Sequence, residues 1–175
     1  MGGHILSFIY KVTGLIPAFL LFAVMWFVRF NTFLVPIICL VFSALLLLLL
    51  YIFINFVKMH ISKIKISPVD VSPMEMGILK IIAIQLSPLI GFFINGFIDD
   101  GNHVVPLAFG ALSVFLNLMA IKVNVSMSFL GYKYYILKLE EGTSNNILIT
   151  KQIVRRKNQI TVAKRFYEYF YMAED

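Results

Sequence analysis

Phe33 to Val57 is an almost unbroken apolar run holding six consecutive leucines, Leu45 to Leu50, and it leaves the chain few ways to fold. About 20 apolar residues in helical form cross the ~30 Å hydrocarbon core of a bilayer, whereas globular helices alternate polar and apolar faces. Three further stretches pass the same test: Val12 to Val28, Gly77 to Ile98 and Val104 to Ile121. Only 14% of the residues are charged, against about a quarter in soluble domains. The expected fold is a membrane all-α domain of four transmembrane helices over residues 1–121, followed by a small cytoplasmic β-rich C-terminal domain over 122–175. Met1 to Phe30 has one early lysine, no small-residue cleavage site and a second apolar segment close behind, so it reads as a retained helix rather than a signal peptide.

The loops orient the bundle. Arg29–Thr32 and Asp99–His103 are short, and Lys58–Met76 is longer and basic. With antiparallel neighbours, every Lys and Arg of the fifteen except Arg29 falls on one side. By the positive-inside rule that side is the cytoplasm, with both termini in it. No charge lies at mid-depth, because Lys11, Arg29 and Lys80 sit near span ends where long side chains reach the headgroups. This disfavours a proton-coupled transporter and a voltage sensor.

Spans three and four carry polar and small residues in register. Gln85, Pro88, Phe92 and Asn95 share one helical face, and Gly110, Ser113 and Asn117 share another. Such stripes let helices approach closely and hydrogen-bond across the contact. Helix packing within the bundle, an oligomer interface and a polar seam lining a pore are all consistent with them. Pro88 and Pro17 are expected to kink their helices. The sequon Asn124-Val125-Ser126 falls on the inner side, so glycosylation is not expected there. Cys39 is the single cysteine and reads as a small buried hydrophobe.

The tail changes character. Tyr132 to Leu139 is rich in aromatic and branched residues and reads as a strand, Glu141 to Asn146 is turn-rich, and Ile147 to Thr150 reads as the returning strand. Ile160–Val162 and Lys164–Met172 resume strand character and supply a third strand. A hairpin alone is marginal in water, so the tail is expected to pack on a neighbouring copy, the membrane or a partner. Arg155-Arg156-Lys157 fits an anchor to anionic lipid, a dock for an acidic protein with Tyr167 adding apolar area, or nucleic-acid binding, the last weakly supported by three charges. His4, His60 and His103 are scattered, and no nucleophile triad, metal motif or phosphate loop is visible. Asp99 and Asp100 read as a solvated outer loop. The expectation is a non-enzyme without catalytic residues, metal or cofactor.

Four spans followed by Gly131-Tyr132-Lys133-Tyr134-Tyr135, a Leu148-Ile149-Thr150-Lys151 return strand, a basic segment and an aromatic last strand make a distinctive order. It resembles the membrane subunit of the Kiwa anti-phage defence system of bacteria. The resemblance implies a non-enzymatic sensor in the bacterial inner membrane. It also implies a homo-oligomer, a tetramer in that family, working with a soluble cytosolic DNA-binding partner. It offers no catalytic residues to carry over. The alternative reading is a small oligomeric channel or pore-forming effector.

Overall fold

The structure is a computed structural model that describes residues 2–74, 76–98, 103–120, 123–139 and 145–173. Helices α1 (Gly2–Thr13) and α2 (Ile16–Phe30) form one nearly continuous rod, and α3 (Leu34–His60) follows. Helices α4 (Met76–Ile98), α5 (Val104–Ala120) and the single-turn α6 (Val125–Phe129) come later. Two stretches, Gly3–Phe30 and Leu34–His60, are long and apolar enough to cross a membrane, while α4 and α5 hold shorter apolar segments, Pro88–Phe97 and Val104–Leu116. Along α3 the exposed side chains include Ile37, Leu40, Leu45, Leu48 and Ile52. A soluble core helix would bury that face, and lipid accepts it.

The rod breaks where the sequence removes its hydrogen bonds. Pro17 has no N–H to bond the carbonyl of Thr13. The chain tightens there into two i→i−3 bonds, Gly14 N–H to Lys11 O at 3.1 Å and Leu15 N–H to Val12 O at 3.1 Å. By contrast α4 continues as one helix through Pro88.

The sheet takes in more of the chain than the tail. Two short strands come from the middle connection, β1 (Lys63–Lys65) and β2 (Pro68–Pro73), and four from the tail: β3 (Lys133–Leu139), β4 (Asn146–Thr150), β5 (Val162–Tyr167) and β6 (Phe170–Ala173). They form one sheet in the order β1-β5-β6-β4-β3-β2. All pairs are antiparallel except β4 with β6. The expected β3–β4 hairpin is present, and its final partner is two strands rather than one, joined at Glu168–Tyr169. The expectation of a sheet confined to 122–175 is corrected by β1 and β2. Pro68 and Pro73 disguise β2 in the sequence, and they are tolerated because β2 is an edge strand.

That strand order forces curvature. β1 and β2 lie at opposite edges, yet only Ile66 and Ser67 separate them. Six strands laid flat span roughly 24 Å at ~4.8 Å spacing. Lys65 to Pro68 reaches at most about 11 Å. The sheet therefore curls into a half-barrel whose edges approach each other.

Both faces of the sheet are apolar. Ile147, Ile149, Phe166, Phe170 and Met172 pack against Tyr10 of α1 and Leu50, Phe53 and Val57 of α3. The alternate residues Tyr135, Leu137, Leu148, Ala163 and Tyr171 fill the concave side with Ile66 and Ile160. Strand alternation puts each set on its own face. The tail thus packs on its own chain's first and third helices. The Asp99–Asp100 pair, Asn102, Glu141–Ser144 and the side chains of Lys80, Ser87 and Asn117 lie outside the described residues.

Candidate functional site

The helices and the sheet meet at a knot of buried polar groups around Asn124, which is fully buried. Its Nδ2 donates to Tyr10 O at 2.6 Å and to Thr13 Oγ1 at 2.8 Å. Its Oδ1 accepts from Met127 N–H at 3.1 Å, so the same side chain caps α6. The Asn124 N–H donates to the Tyr10 hydroxyl at 3.0 Å, and the Asn124 carbonyl accepts from the Tyr134 hydroxyl at 2.8 Å. Ser126 Oγ donates to Thr13 O at 2.7 Å, the carbonyl that Pro17 leaves without a helical partner. Thr13 Oγ1 itself donates back to Ile9 O and Tyr10 O.

Burial foremost, with the neighbouring Tyr10 adding, raises the Tyr134 phenol well above its ordinary value. It therefore stays a donor to Asn124. The other end of α6 is closed by Gly131, at φ +85°. Gly131 N–H bonds Ser128 O and Tyr132 N–H bonds Met127 O, a Schellman arrangement that needs a left-handed residue. α6 is thereby a capped one-turn bracket leading straight into β3. Around the knot, the Tyr10 ring meets Phe53 of α3, Phe166 of β5 and Phe170 of β6 at centroid distances of 6.2, 5.8 and 5.1 Å. One residue of the first helix touches a second long apolar helix and two strands. The sequon Asn124–Ser126 marked this place in the sequence, and the structure gives it a different role.

The polar stripe lies inside the single chain. Gln85, Asn95 and Ser113 are all buried. Gln85 Nε2 donates to Gly14 O at 3.0 Å, across to the break in the first rod. A Cβ on Gly110 would come within 2.9 Å of Phe22, so that glycine sets the α5–α2 approach. Neither amide atom of Asn95 has a hydrogen-bond partner among the described residues. Ser113 and Gly110 line a cavity of about 250 Å3 walled by Ala18, Phe22, Cys39 and Leu107. Arg29 borders a separate groove with Leu89 and Phe92. Trp26 and Phe30 stack against His103, which ties α2 to the start of α5.

Arg155, Arg156 and Lys157 are exposed and stand on a strap that runs from β4 to β5 across the concave face. The strap is fixed rather than loose. Gln159 Oε1 accepts from the N–H groups of Arg155 and Arg156 at 2.7 and 3.1 Å, and Val154 N–H donates to the Tyr135 hydroxyl at 3.1 Å. Tyr167 is half-buried on the opposite, helix-facing side, its ring 5.5 Å from His4. The expectation of an exposed Tyr167 acting beside the basic run is therefore corrected, because the register shift between Arg165 and Tyr167 leaves Tyr167 on the same helix-facing side as Phe166. Among the described residues no group of three or more His, Cys, Asp or Glu is placed to hold a metal.

No curated protein and no solved structure matches the chain. Residues 6–172 match the family described as anti-phage protein KwaA, a match that takes in most of the apolar helices, the knot and the sheet as far as Met172 of β6. The chain belongs to the KwaA family of anti-phage defence proteins.

Proposed function

We propose that the chain is a non-enzymatic sensor and scaffold in the bacterial inner membrane, with four spans and both termini cytoplasmic. It assembles as a homo-oligomer, a tetramer by the family resemblance, and passes a change at the bilayer to a soluble cytosolic partner. The observation that carries this reading is the Asn124 knot. It ties the broken first helix to the sheet through short buried hydrogen bonds, so a tilt of α1 against α2 has no path that leaves the sheet undisturbed. Buried polar networks of this kind have discrete arrangements rather than a continuum.

Lengths support four spans. At 1.5 Å per residue the 23 residues of α4 cover about 35 Å. The 17 residues of α5 cover about 26 Å, against a hydrocarbon core of ~30 Å. In a Cys39→Ala background, a cysteine at Asn102 is expected to react with an impermeant maleimide in intact cells, and one at Asn145 is not. The reverse pattern would sink the topology. The channel reading is weaker, because the cavity between the helices is walled mainly by apolar side chains such as Phe22, Val35 and Leu107, with Ser113 the polar exception among the described lining residues.

The partner's dock is the strap. Arg155, Arg156 and Lys157 project from a preformed loop, and arginine pairs bidentately with carboxylates. Charge reversal mainly slows association. Arg155→Glu with Arg156→Glu is expected to cut the rate of partner capture about tenfold or more at physiological salt. Membrane insertion and oligomer size stay unchanged. Co-purification from native membranes decides: wild-type recovery of the partner assigns the strap to lipid instead.

A further inference from the structure

The half-barrel has a mouth where β1 turns into β2, and a cavity of about 240 Å3 opens there, lined by Lys65, Ser67, Ile66, Leu139, Arg165 and Tyr171. One water needs only about 10–15 Å3 of such space, so a group of several heavy atoms fits. Its walls follow from the strand register. Ile66 and Tyr171 belong to the concave core, with Leu139 packed against it. Arg165 is directly opposite Tyr171 across the β5–β6 pair, its guanidinium 5.9 Å from that ring. Lys65 is on β1, the strand next to β5, and Leu139 comes from β3 on the other side of the curl, so the pocket is completed only because the sheet closes on itself.

Among the described residues, no acid lines this cavity beside its two cations. The described ion pair of the sheet, Lys138 with Asp70, is on a different strand pair and does not line the cavity. Lys65 and Arg165 are both exposed and form no ion pair among the described residues. A forked guanidinium and a point-charge ammonium about one cavity, with the Ser67 hydroxyl beside them, match a dianionic tetrahedral oxyanion better than a singly charged carboxylate. A phosphate ester carries about −1.5 to −2 at neutral pH, which balances the two cations. The apolar wall of Ile66, Leu139 and Tyr171 suits the organic part of such an ester.

We propose that the mouth of the half-barrel is a binding site for a phosphate group, held by Lys65 and Arg165. It is independent of the docking strap. The phosphate comes either from a soluble phosphorylated metabolite or from the headgroup of an inner-leaflet lipid, since β1 starts three residues after α3 ends.

The test uses the full chain in maltoside micelles, which contain no phosphate. Calorimetric titration with inorganic pyrophosphate and, separately, with dihexanoyl phosphatidic acid is expected to give saturable binding of at least one. Lys65→Gln and Arg165→Gln each weaken it about tenfold, the loss of one charge-assisted contact, while Lys138→Gln leaves it unchanged. Pyrophosphate binding assigns a soluble source, and binding of phosphatidic acid alone assigns the lipid. No saturable binding of either probe, or equal binding by wild type and both pocket variants, overturns the site. Unliganded melting checks the fold. Should Arg165→Gln not fold, Lys65→Gln on an exposed side chain and Arg165→Lys, which keeps the charge, still decide the matter.

Discussion

Asn124→Leu is expected to lower the stability of the chain by about 3–5 kcal/mol and to release the sheet from the apolar helices. The leucine matches asparagine in outline but makes none of its three side-chain hydrogen bonds. It strands the N–H of Met127 and leaves the carbonyl of Tyr10 with the Thr13 hydroxyl alone, in a place where water does not reach. Each stranded group costs about 1–3 kcal/mol, and removal of the α6 cap adds about 1. Asn124→Ser keeps an acceptor for the cap and loses the donors to Tyr10 and Thr13, so an intermediate loss is expected. Insertion does not depend on the knot, because Leu34–His60 carries its own apolar length. Thermal unfolding in mild detergent, combined with limited proteolysis of the 121–131 connection, reads both effects. Unchanged melting and unchanged protection would show that the knot holds nothing, and the sensing reading built on it would fall.

Gly91→Leu carries the second large effect. A Cβ at Gly91 lies 2.6 Å from Phe109 Cβ and 3.0 Å from its Cγ, both next to the α5 backbone and unable to swing away. The helices must separate, at a cost of about 3 kcal/mol or more, or roughly 6–12 °C for a chain of this size. Gly91→Ala is a milder form, in which a gain of about 1 kcal/mol in helix propensity offsets part of the strain. Gly110→Ala is the control. Its nearest neighbours are atoms of the Phe22 ring at 2.9, 3.4 and 3.5 Å, the far end of a side chain that can turn. Gly91→Ala is therefore expected to melt below Gly110→Ala. The opposite order would mean that the α4–α5 contact is looser than its geometry.

The stripe of Gln85, Pro88, Phe92 and Asn95 shows how far helical periodicity carries. Its spacing places the four on one side, and in the structure that side is buried while Leu86, Ile90 and Phe93 are exposed. Gln85 finding the carbonyl of Gly14 was beyond reach, because 71 positions separate them. Tyr10 gave no signal in the sequence for the same reason: its partners Phe53, Asn124, Phe166 and Phe170 are spread over the whole chain.

Apolar length, the lysine bias, the break before Pro17 and the β3–β4 hairpin are local properties. A few neighbouring residues set each of them through hydrogen bonding, chain stiffness and the cost of moving charge into hydrocarbon. Those the sequence determined by itself. The recruitment of Lys63–Lys65 and Pro68–Pro73 was decided only by the tertiary structure. Three lysine-rich residues and a proline-bounded segment have no strand tendency of their own. They pair because β3 and β5 present unmet backbone groups at the two edges of a sheet too small to stand alone. Once β1 and β2 are paired, the two-residue link between them bends the sheet into a half-barrel. The mouth that sets Leu139 of β3 against Lys65 and Arg165 exists through that non-local closure, and no window of the sequence contains it.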